Sequence, residues 1–342
     1  MGYLDAQAGD GGRTAFRRAE KKYKLYKQST THKHSSCRSR MEIPVTDLSQ
    51  VIDFERIRDG DGVTRLDHSD FPVYALEGHT GFFFIPRAVP HDQQFHWIRE
   101  ALTVFPEPPN RTSHSAHYGP LFGLWSSATK KRVLSPTGPE NGDLFVRKWE
   151  FADPGDERKQ EGVVSATALL RKLRWATLGV QFDWSKRAYD ISIPYRSFPP
   201  ALSELATKLA SPAMNGDQFR AEAAIVNFFG PDDMLGGHID DMEADWSKPI
   251  VSISLGCKAI FLLGGETRDD PPVAMFLRSG DCVLMAGPSR RCFHGVPRIF
   301  TGCKESDLPD FSALAMGEIK ENVAILDYIQ QSRININIRQ VF

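Results

Sequence analysis

The chain has 342 residues, 41% of them hydrophobic, and a formal net charge of −1. That is enough apolar chain for one large or two small globular domains, while near-neutral charge excludes a general attractive field, so a nucleic-acid partner has to be held by local basic patches. The five cysteines are odd in number and form no C-x-x-C pair, which argues against a disulfide framework or a zinc ribbon and for a reducing compartment; no apolar run approaches the roughly 18 residues of a membrane span, and there is no secretory h-region.

Residues 13–40 are strongly basic, with Arg13, Arg17, Arg18, Lys21, Lys22, Lys24, Lys27, Lys33, Arg38 and Arg40 set against Glu20. Ala15 to Gln28 has helical character, with Phe16, Tyr23 and Tyr26 on it. The segment reads as a solvated helix with a frayed tail, a nucleic-acid arm, a nuclear signal or an organellar transit segment. Asp5 and Asp10 count against transit, and Met41 offers an alternative start. Nucleus and mitochondrion (or another organelle) are the expected compartments, with room for a cytoplasmic pool.

Val51-Ile-Asp-Phe54 and Phe82-Phe-Phe-Ile85 are short apolar segments. Pro90 to Phe105 has helical spacing, with Phe95, Ile98, Leu102 and Phe105 on one face. Residues 106–165 are rich in Pro, Gly, Ser and charge and predict long loops, of the kind that form a lid or binding loop. Thr167 to Trp175 predicts a helix, Leu178 to Trp184 a strand or hairpin arm, and Pro199 to Ser211 a helix. From 219 to 300 short apolar runs alternate with turns such as Gly230-Pro-Asp-Asp and Gly264-Gly, the pattern of a sandwich or barrel. Residues 301–318 read as loop, Val323 to Tyr328 as a short helix. The expected organisation is a basic segment (1–45), a helical and loop region carrying the lid (46–218), and a β domain (219–342).

Within the β region, Leu235-Gly-Gly-His238-Ile-Asp240 places an imidazole and a carboxylate two residues apart. In an extended strand both point to one face, which is two thirds of a two-histidine, one-carboxylate iron site. His294 is the evident third ligand, since of ten histidines only these two follow residue 120. His68-Ser-Asp70 has the same spacing, but it runs into Phe71-Pro72 in a polar stretch and reads as surface loop. A zinc hydrolase can use the same three ligands; a structural zinc site is normally closed by four, and Cys292 is a poor candidate on ligand softness.

The last segment alternates without a break. Ile334, Ile336 and Ile338 point one way; Arg333, Asn335, Asn337 and Arg339 point the other. Such a row is either a solvated outer face or a pocket for a small dianion, since arginine grips carboxylates with a two-pronged hydrogen bond.

Together these features resemble the Fe(II)/2-oxoglutarate dioxygenases of the AlkB family. The resemblance rests on His238-x-Asp240, the distal His294, the R-x-N-x-x-x-R strand (333/335/339) and Asn227-Phe-Phe229. Lys248-Pro-Ile-Val-Ser-Ile-Ser-Leu-Gly256, Phe261-Leu-Leu-Gly-Gly265, Ala274-Met-Phe-Leu-Arg-Ser-Gly-Asp281 and His294-Gly-Val-Pro-Arg298 look specifically like its AlkB homologue 1 subgroup. So do Phe82-Phe-Phe-Ile-Pro86, Leu173-Arg-Trp-Ala-Thr-Leu-Gly179 and Tyr26-Lys-Gln-Ser29. The resemblance implies an α+β fold: a double-stranded β-helix (jelly-roll) core with flanking helices and an N-terminal nucleotide-recognition lid. It implies that His238, Asp240 and His294 ligate Fe(II), that Asn227, Phe229, Arg333, Asn335 and Arg339 surround 2-oxoglutarate, and that O2 is the oxidant. Phe229 departs from the family, where a Tyr hydroxyl reaches the cosubstrate. Six residues of strand span roughly 20 Å, far more than 2-oxoglutarate, so the two arginines either take one carboxylate each or one acts directly and the other from behind.

The implied activity is oxidative removal of methyl groups from bases in nucleic acid: N1-methyladenine in tRNA or N6-methyladenine in DNA, with oxidation of tRNA 5-methylcytosine as a further possibility. Trp175, Phe182, Trp184 and Trp246 are candidates for stacking on an unstacked base, and Glu243 or Asp241 for accepting from an exocyclic amine. Lys130-Lys-Arg132, Arg171-Lys-Leu-Arg174, Lys186-Arg187 and Arg290-Arg291 are candidate phosphate contacts. A monomer working without a membrane is expected. The competing enzyme reading is a 2-oxoglutarate-dependent hydroxylase or demethylase of a histone or ribosomal protein, which needs no stacking aromatics. A non-catalytic nucleic-acid module is the third reading; the intact metal and arginine residues speak against it.

Overall fold

The computed structural model describes residues 13–24, 46–58, 60–68, 70–139, 147–155, 162–183, 185–301, 307–311 and 319–342. Met41, Trp184 and the Tyr26-Lys-Gln-Ser29 motif lie outside the described residues. The chain begins with helix α1 (Ala15–Tyr23), then strands β1 (Val63–Leu66), β2 (Val73–Leu76) and β3 (Phe82–Ile85). Helices α2 (His91–Thr103), α3 (Ser115–Tyr118) and α4 (Leu124–Thr129) lead to β4 (Val133–Pro139), β5 (Arg147–Ala152) and β6 (Val164–Ser165). Next come α5 (Ala166–Lys172), β7 (Trp175–Gly179), β8 (Gln181–Asp183), β9 (Ala188–Asp190) and α6 (Pro200–Ala210). The remaining strands are β10 (Ala223–Phe229), β11 (Leu235–His238), β12 (Ile250–Gly256), β13 (Ala259–Leu263), β14 (Val273–Leu277), β15 (Cys282–Met285) and β16 (His294–Ile299). Helix α7 (Ile319–Ile329) and strand β17 (Arg333–Arg339) close the chain.

The architecture is α+β with a jelly-roll core. An eight-stranded antiparallel sheet runs β1-β2-β3-β15-β12-β17-β10-β7, and a four-stranded sheet runs β11-β16-β13-β14. The larger sheet takes β1–β3 and β7 from before residue 219, so it is not confined to 219–342. No helix among the described residues is long and apolar enough to cross a membrane.

Strand β17 sits inside the large sheet, paired with β10 and β12 along its whole length. Ile334, Ile336 and Ile338 pack on the outer side, in one core with Ile98 of α2, Leu202 of α6 and Ile325 of α7. Period-2 alternation then turns Arg333, Asn335, Asn337 and Arg339 to the inner side. All seven residues of the strand are buried, so the polar row is an interior row and not a solvated one. Neighbouring strands follow the same register, with Asn227 and Ser254 both opposite Asn335.

Between the sheets one end is filled by aromatics and aliphatics, including Phe82, Phe84, Phe229, Phe261, Met275 and Val283. Strand β13 is apolar at every position because both its faces are covered. Phe261 and Leu263 face this inner core, while Ile260 and Leu262 face Phe16 and Tyr23 of α1.

Four elements differ from the sequence expectation. Helix α1 ends at Tyr23, where Lys24 turns to extended backbone. Residues 106–165 are not simply loop: they contain α3, α4 and a three-stranded sheet ordered β5-β4-β6. Pro136 is tolerated in β4 because β6 pairs only with Val133 and Leu134, leaving an open edge beyond them. The helix expected over Thr167 to Trp175 is α5, which ends at Lys172, and Trp175 instead opens strand β7. Strand β11 ends at His238, so Asp240 reaches the site from irregular chain and not along a strand.

Phe84 is fully buried and stacks on Phe54 with ring centroids 3.7 Å apart. Phe84→Ala is expected to lower unfolding free energy by about 3–5 kcal/mol, read by urea denaturation; a loss below 1 kcal/mol would place Phe84 outside the load of the core.

Candidate active site

Strands β11 and β16 are antiparallel neighbours, and His238 lies directly opposite His294. Their ring centroids are 4.4 Å apart. Asp240 completes the group, with Oδ1 3.7 Å from His238 Nε2 and Oδ2 3.8 Å from His294 Nε2. One ligand atom from each lies within 4.8 Å of the others, the only such trio found among the described residues. Cys292 is not part of it.

Both imidazoles are oriented from behind. His238 Nδ1 donates to the Gly236 carbonyl at 3.0 Å, and His294 Nδ1 donates to the Cys292 carbonyl at 3.3 Å. A carbonyl only accepts, so the proton sits on Nδ1 and the Nε2 lone pair faces the trio. Burial, and then the neighbouring His238, push the His294 pKa down to about 4, which keeps its ring neutral. Burial pushes the Asp240 carboxyl upward, but Arg339 and the two imidazoles outweigh it and hold the carboxyl well below its ordinary range. Two neutral nitrogens and one carboxylate with open positions suit Fe(II), and three ligands do not close a structural zinc site.

Asp240 is the first member of a charge chain. Arg339 Nη2 lies 3.0 Å from Asp240 Oδ2, and Arg339 Nε lies 2.7 Å from Glu243 Oε1. Arg290 donates to Glu243 Oε2 at 2.6 Å and to the Lys248 carbonyl at 2.7 Å. Two acids and two arginines balance, which lets all four sit in the interior. Glu243, expected to contact a base, therefore has both carboxylate oxygens engaged by arginines. Asp241 is instead the acid at the cavity edge, 3.6 Å from Arg187. Arg290, expected on phosphate, is buried. Trp246 donates Nε1–H to the Glu243 carbonyl at 3.0 Å and lies under Arg290, outside the cavity.

Arg333, at the other end of β17, has no acid beside it among the described residues. Its Nη2 donates to Ser254 Oγ at 2.9 Å, while Nε and Nη1 are buried without a partner. Burial alone pushes its pKa down to about 10. Its guanidinium lies 5.3 Å from the Phe229 ring centre, so the Phe that replaces the family's Tyr supports the arginine through its π face. An uncompensated interior cation is a receptor for an anion. Asn335 gives its two amide protons to Ser252 Oγ at 2.9 Å and the Ile253 carbonyl at 3.0 Å. It has no proton left for a carboxylate and braces β12 against β17. The two arginines of β17 thus differ: Arg339 is engaged by Asp240 and Glu243, and Arg333 is not engaged by an acid among the described residues.

A cavity of about 520 Å³ opens above the trio. Trp175, Phe182, Tyr189, Asn227, Asn337 and Arg339 are among its walls. Strands β8 and β9 form a hairpin that brings Phe182 and Tyr189 together edge to face, centroids 5.2 Å apart. Tyr189 and Asn337 were not foreseen as site residues. Asn337 was visible in the polar row of β17; Tyr189 carried no signal beyond its place in the hairpin. Of the expected phosphate contacts, Lys130, Lys131, Arg171, Lys172 and Arg174 are exposed, while Arg132 pairs with Asp153 and Arg174 with Asp233. His68, read from the sequence as surface loop, hydrogen-bonds Ser211 and stacks on Phe71.

The model of the 2OG-Fe(II) oxygenase superfamily matches residues 144–339, which include all of these inward-facing groups. The chain belongs to this superfamily. Within it, the chain is 52% identical to the DNA N(6)-methyladenine demethylase ALKBH1A of Arabidopsis thaliana, with 97% of each chain covered. It is 33% identical to the nucleic acid dioxygenase ALKBH1 of Homo sapiens, over 80% of this chain and 67% of that one. It is 30% identical to the tRNA demethylase abh1 of Schizosaccharomyces pombe, over 79% and 82%. These relatives make it an AlkB homologue 1 type dioxygenase, using Fe(II), 2-oxoglutarate and O2.

Arg333→Met separates stability from cosubstrate binding. Removing an uncompensated buried cation should leave the thermal midpoint of the ligand-free protein unchanged or higher. Affinity for 2-oxoglutarate, titrated calorimetrically with Mn(II) in the site, should weaken by about 2–5 kcal/mol. A loss under tenfold would show that the anchor lies elsewhere.

Proposed function

We propose that the protein is an Fe(II)- and 2-oxoglutarate-dependent dioxygenase that demethylates N-methylated adenine in nucleic acid. The observation that carries this reading is a cavity walled by Trp175, Phe182 and Tyr189 that reaches His238 and Asp240, two of the three members of the trio. A flipped base needs flat apolar walls beside the reacting centre, and a peptide side chain does not. The relatives named as DNA and tRNA demethylases support the same substrate class.

His238, Asp240 and His294 would hold the iron, which when bound supplies the oxidising power to hydroxylate a methyl group. Arg333 anchors the distal carboxylate of 2-oxoglutarate from the Phe229 side. Arg339 keeps Asp240 ionised and aimed, and Glu243 with Arg290 keeps Arg339 in place. The aromatic walls stack the base and exclude water, and Asp241 at the cavity edge is placed to accept from its exocyclic amine. Once the N-methyl group is hydroxylated, the product loses formaldehyde and the base regains its N–H.

The deciding experiment incubates the protein with Fe(II), ascorbate and 2-oxoglutarate, with total tRNA in one arm and genomic DNA in the other. Nucleoside mass spectrometry should show loss of 1-methyladenosine from tRNA or of N6-methyldeoxyadenosine from DNA, with formaldehyde released in step. Asp240→Ala should abolish turnover and leave nucleic-acid binding intact. Succinate formed only on a protein extract, with every modified base unchanged, would overturn the nucleic-acid reading in favour of a protein hydroxylase.

A further inference from the structure

Helix α1 lies on the outer face of the small sheet, against the strand that carries His238. Phe16 is fully buried there, seated over two glycines. A Cβ on Gly237 would fall 2.4 Å from the Phe16 ring, and one on Gly264 would fall 2.9 Å from it. Glycine at these positions is what lets the helix approach. The contact is polar as well: Phe16 N donates to the Arg268 carbonyl at 2.9 Å, and Arg268 Nη2 donates to the Gly237 carbonyl at 2.7 Å.

The approach brings Glu20 to the metal-binding strand. Glu20 is only 2% exposed. Its Oε1 accepts from Gly237 N–H at 2.7 Å, and its Oε2 accepts from Arg17 Nη1 at 2.7 Å. Gly237 N–H and Gly236 C=O belong to one peptide unit. That same Gly236 carbonyl accepts the Nδ1–H of His238. The groups form one line: Glu20 carboxylate, peptide 236–237, His238 imidazole, Nε2 facing the trio.

We propose that Glu20 is a positioning residue for the metal ligand His238, acting through the peptide between Gly236 and Gly237. A carboxylate on the N–H side of a peptide polarises it and makes its carbonyl a stronger acceptor. The stronger acceptor holds the Nδ1–H tautomer, fixes the ring plane and makes Nε2 a better donor. Metal-bound histidines commonly have a carboxylate or carbonyl behind them; here the carboxylate stands one peptide further back. His294 is the internal control. Its carbonyl partner is Cys292 O, and the N–H of that peptide, on Phe293, donates to the neutral Gly265 carbonyl at 2.9 Å. The two histidines therefore differ in the charge at the end of their relays. The residue sits in a segment that reads as a solvated basic helix, and the inference makes that helix part of the active centre. It rests on the iron-site reading above.

The test titrates the full-length metal-free protein with Co(II) and follows its visible absorption. Glu20→Ala should bind on the order of 10–100-fold more weakly. Glu20→Gln keeps an oxygen on Gly237 N–H but loses the charge, and should fall between Ala and wild type. Thermal midpoints of the metal-free variants are measured alongside, and if the Ala variant does not fold the Gln variant decides. In ¹⁵N-histidine-labelled protein, the His238 Nδ1–H resonance should move upfield in Glu20→Gln while that of His294 stays. Wild-type affinity in Glu20→Gln with an unmoved His238 resonance would overturn the proposal. Absence of Co(II) binding by the wild-type protein would instead overturn the iron-site reading itself.

Discussion

The constraint on which the rest depends is the burial of two guanidiniums on the inner face of β17. Ionised groups leave water only when paired, and the fold treats the two differently. Arg339 is met by Asp240 and Glu243, so its charge is neutralised within the protein. Arg333 meets a serine hydroxyl and a phenyl face, and its charge is not. That asymmetry assigns the direction of the site. The neutralised end lies beside the His238, Asp240 and His294 trio, where Asp240 has to stay anionic and aimed; at the other end two nitrogens of Arg333 have no partner among the described residues.

Glu243 and Arg290 show how far the requirement spreads. Neither belongs to the trio, yet without Glu243 the site would hold two arginines against one acid, and without Arg290 the reverse. Arg290 also donates to the carbonyls of Lys248 and Asp240, tying the loop after β11 to the start of β12. The chain from Asp240 to Lys248 has little regular structure, and this ion chain is what gives Asp240 a fixed position beyond the end of its strand. The carboxylate that binds metal is thus held by charge pairing, while the two histidines opposite each other are held by a ladder.

Much of this was legible from the residues. Alternation in β17 gave the faces correctly, because a strand's period of two leaves no other assignment. What alternation cannot say is which face is wet, since an Arg–Asn row looks the same against water and against a second sheet. His238 and Asp240 were paired by a strand argument, but β11 stops at His238, so the pairing holds for a different reason. Glu243 was read as a base contact because its two arginine partners lie 47 and 96 positions away in the chain. Residues 106–165 were read as loop because their strands carry Pro136 and Pro139, acceptable only beside an open edge that depends on strand order. Glu20 was one acid in a basic run, and nothing local distinguishes a solvated glutamate from one that reaches a peptide 217 residues away.

A polar row through the middle of a sandwich is tolerable only if the same strand is secured from its other side. Ile334, Ile336 and Ile338 are fully buried under the helix layer, and each contributes roughly 1.5–3 kcal/mol by burial. Leaving a buried polar group unsatisfied costs about 1–3 kcal/mol, and the charge on Arg333 adds to that. The two faces of β17 are therefore of comparable and opposite sign. Flanking helices in this fold are not decoration on a jelly roll: they supply stability that offsets the incomplete pairing of Arg333 on the inner face. The aromatic end of the inter-sheet core does the same for β10, β13 and β15. This is why the site occupies one end of the space between the sheets and not its centre.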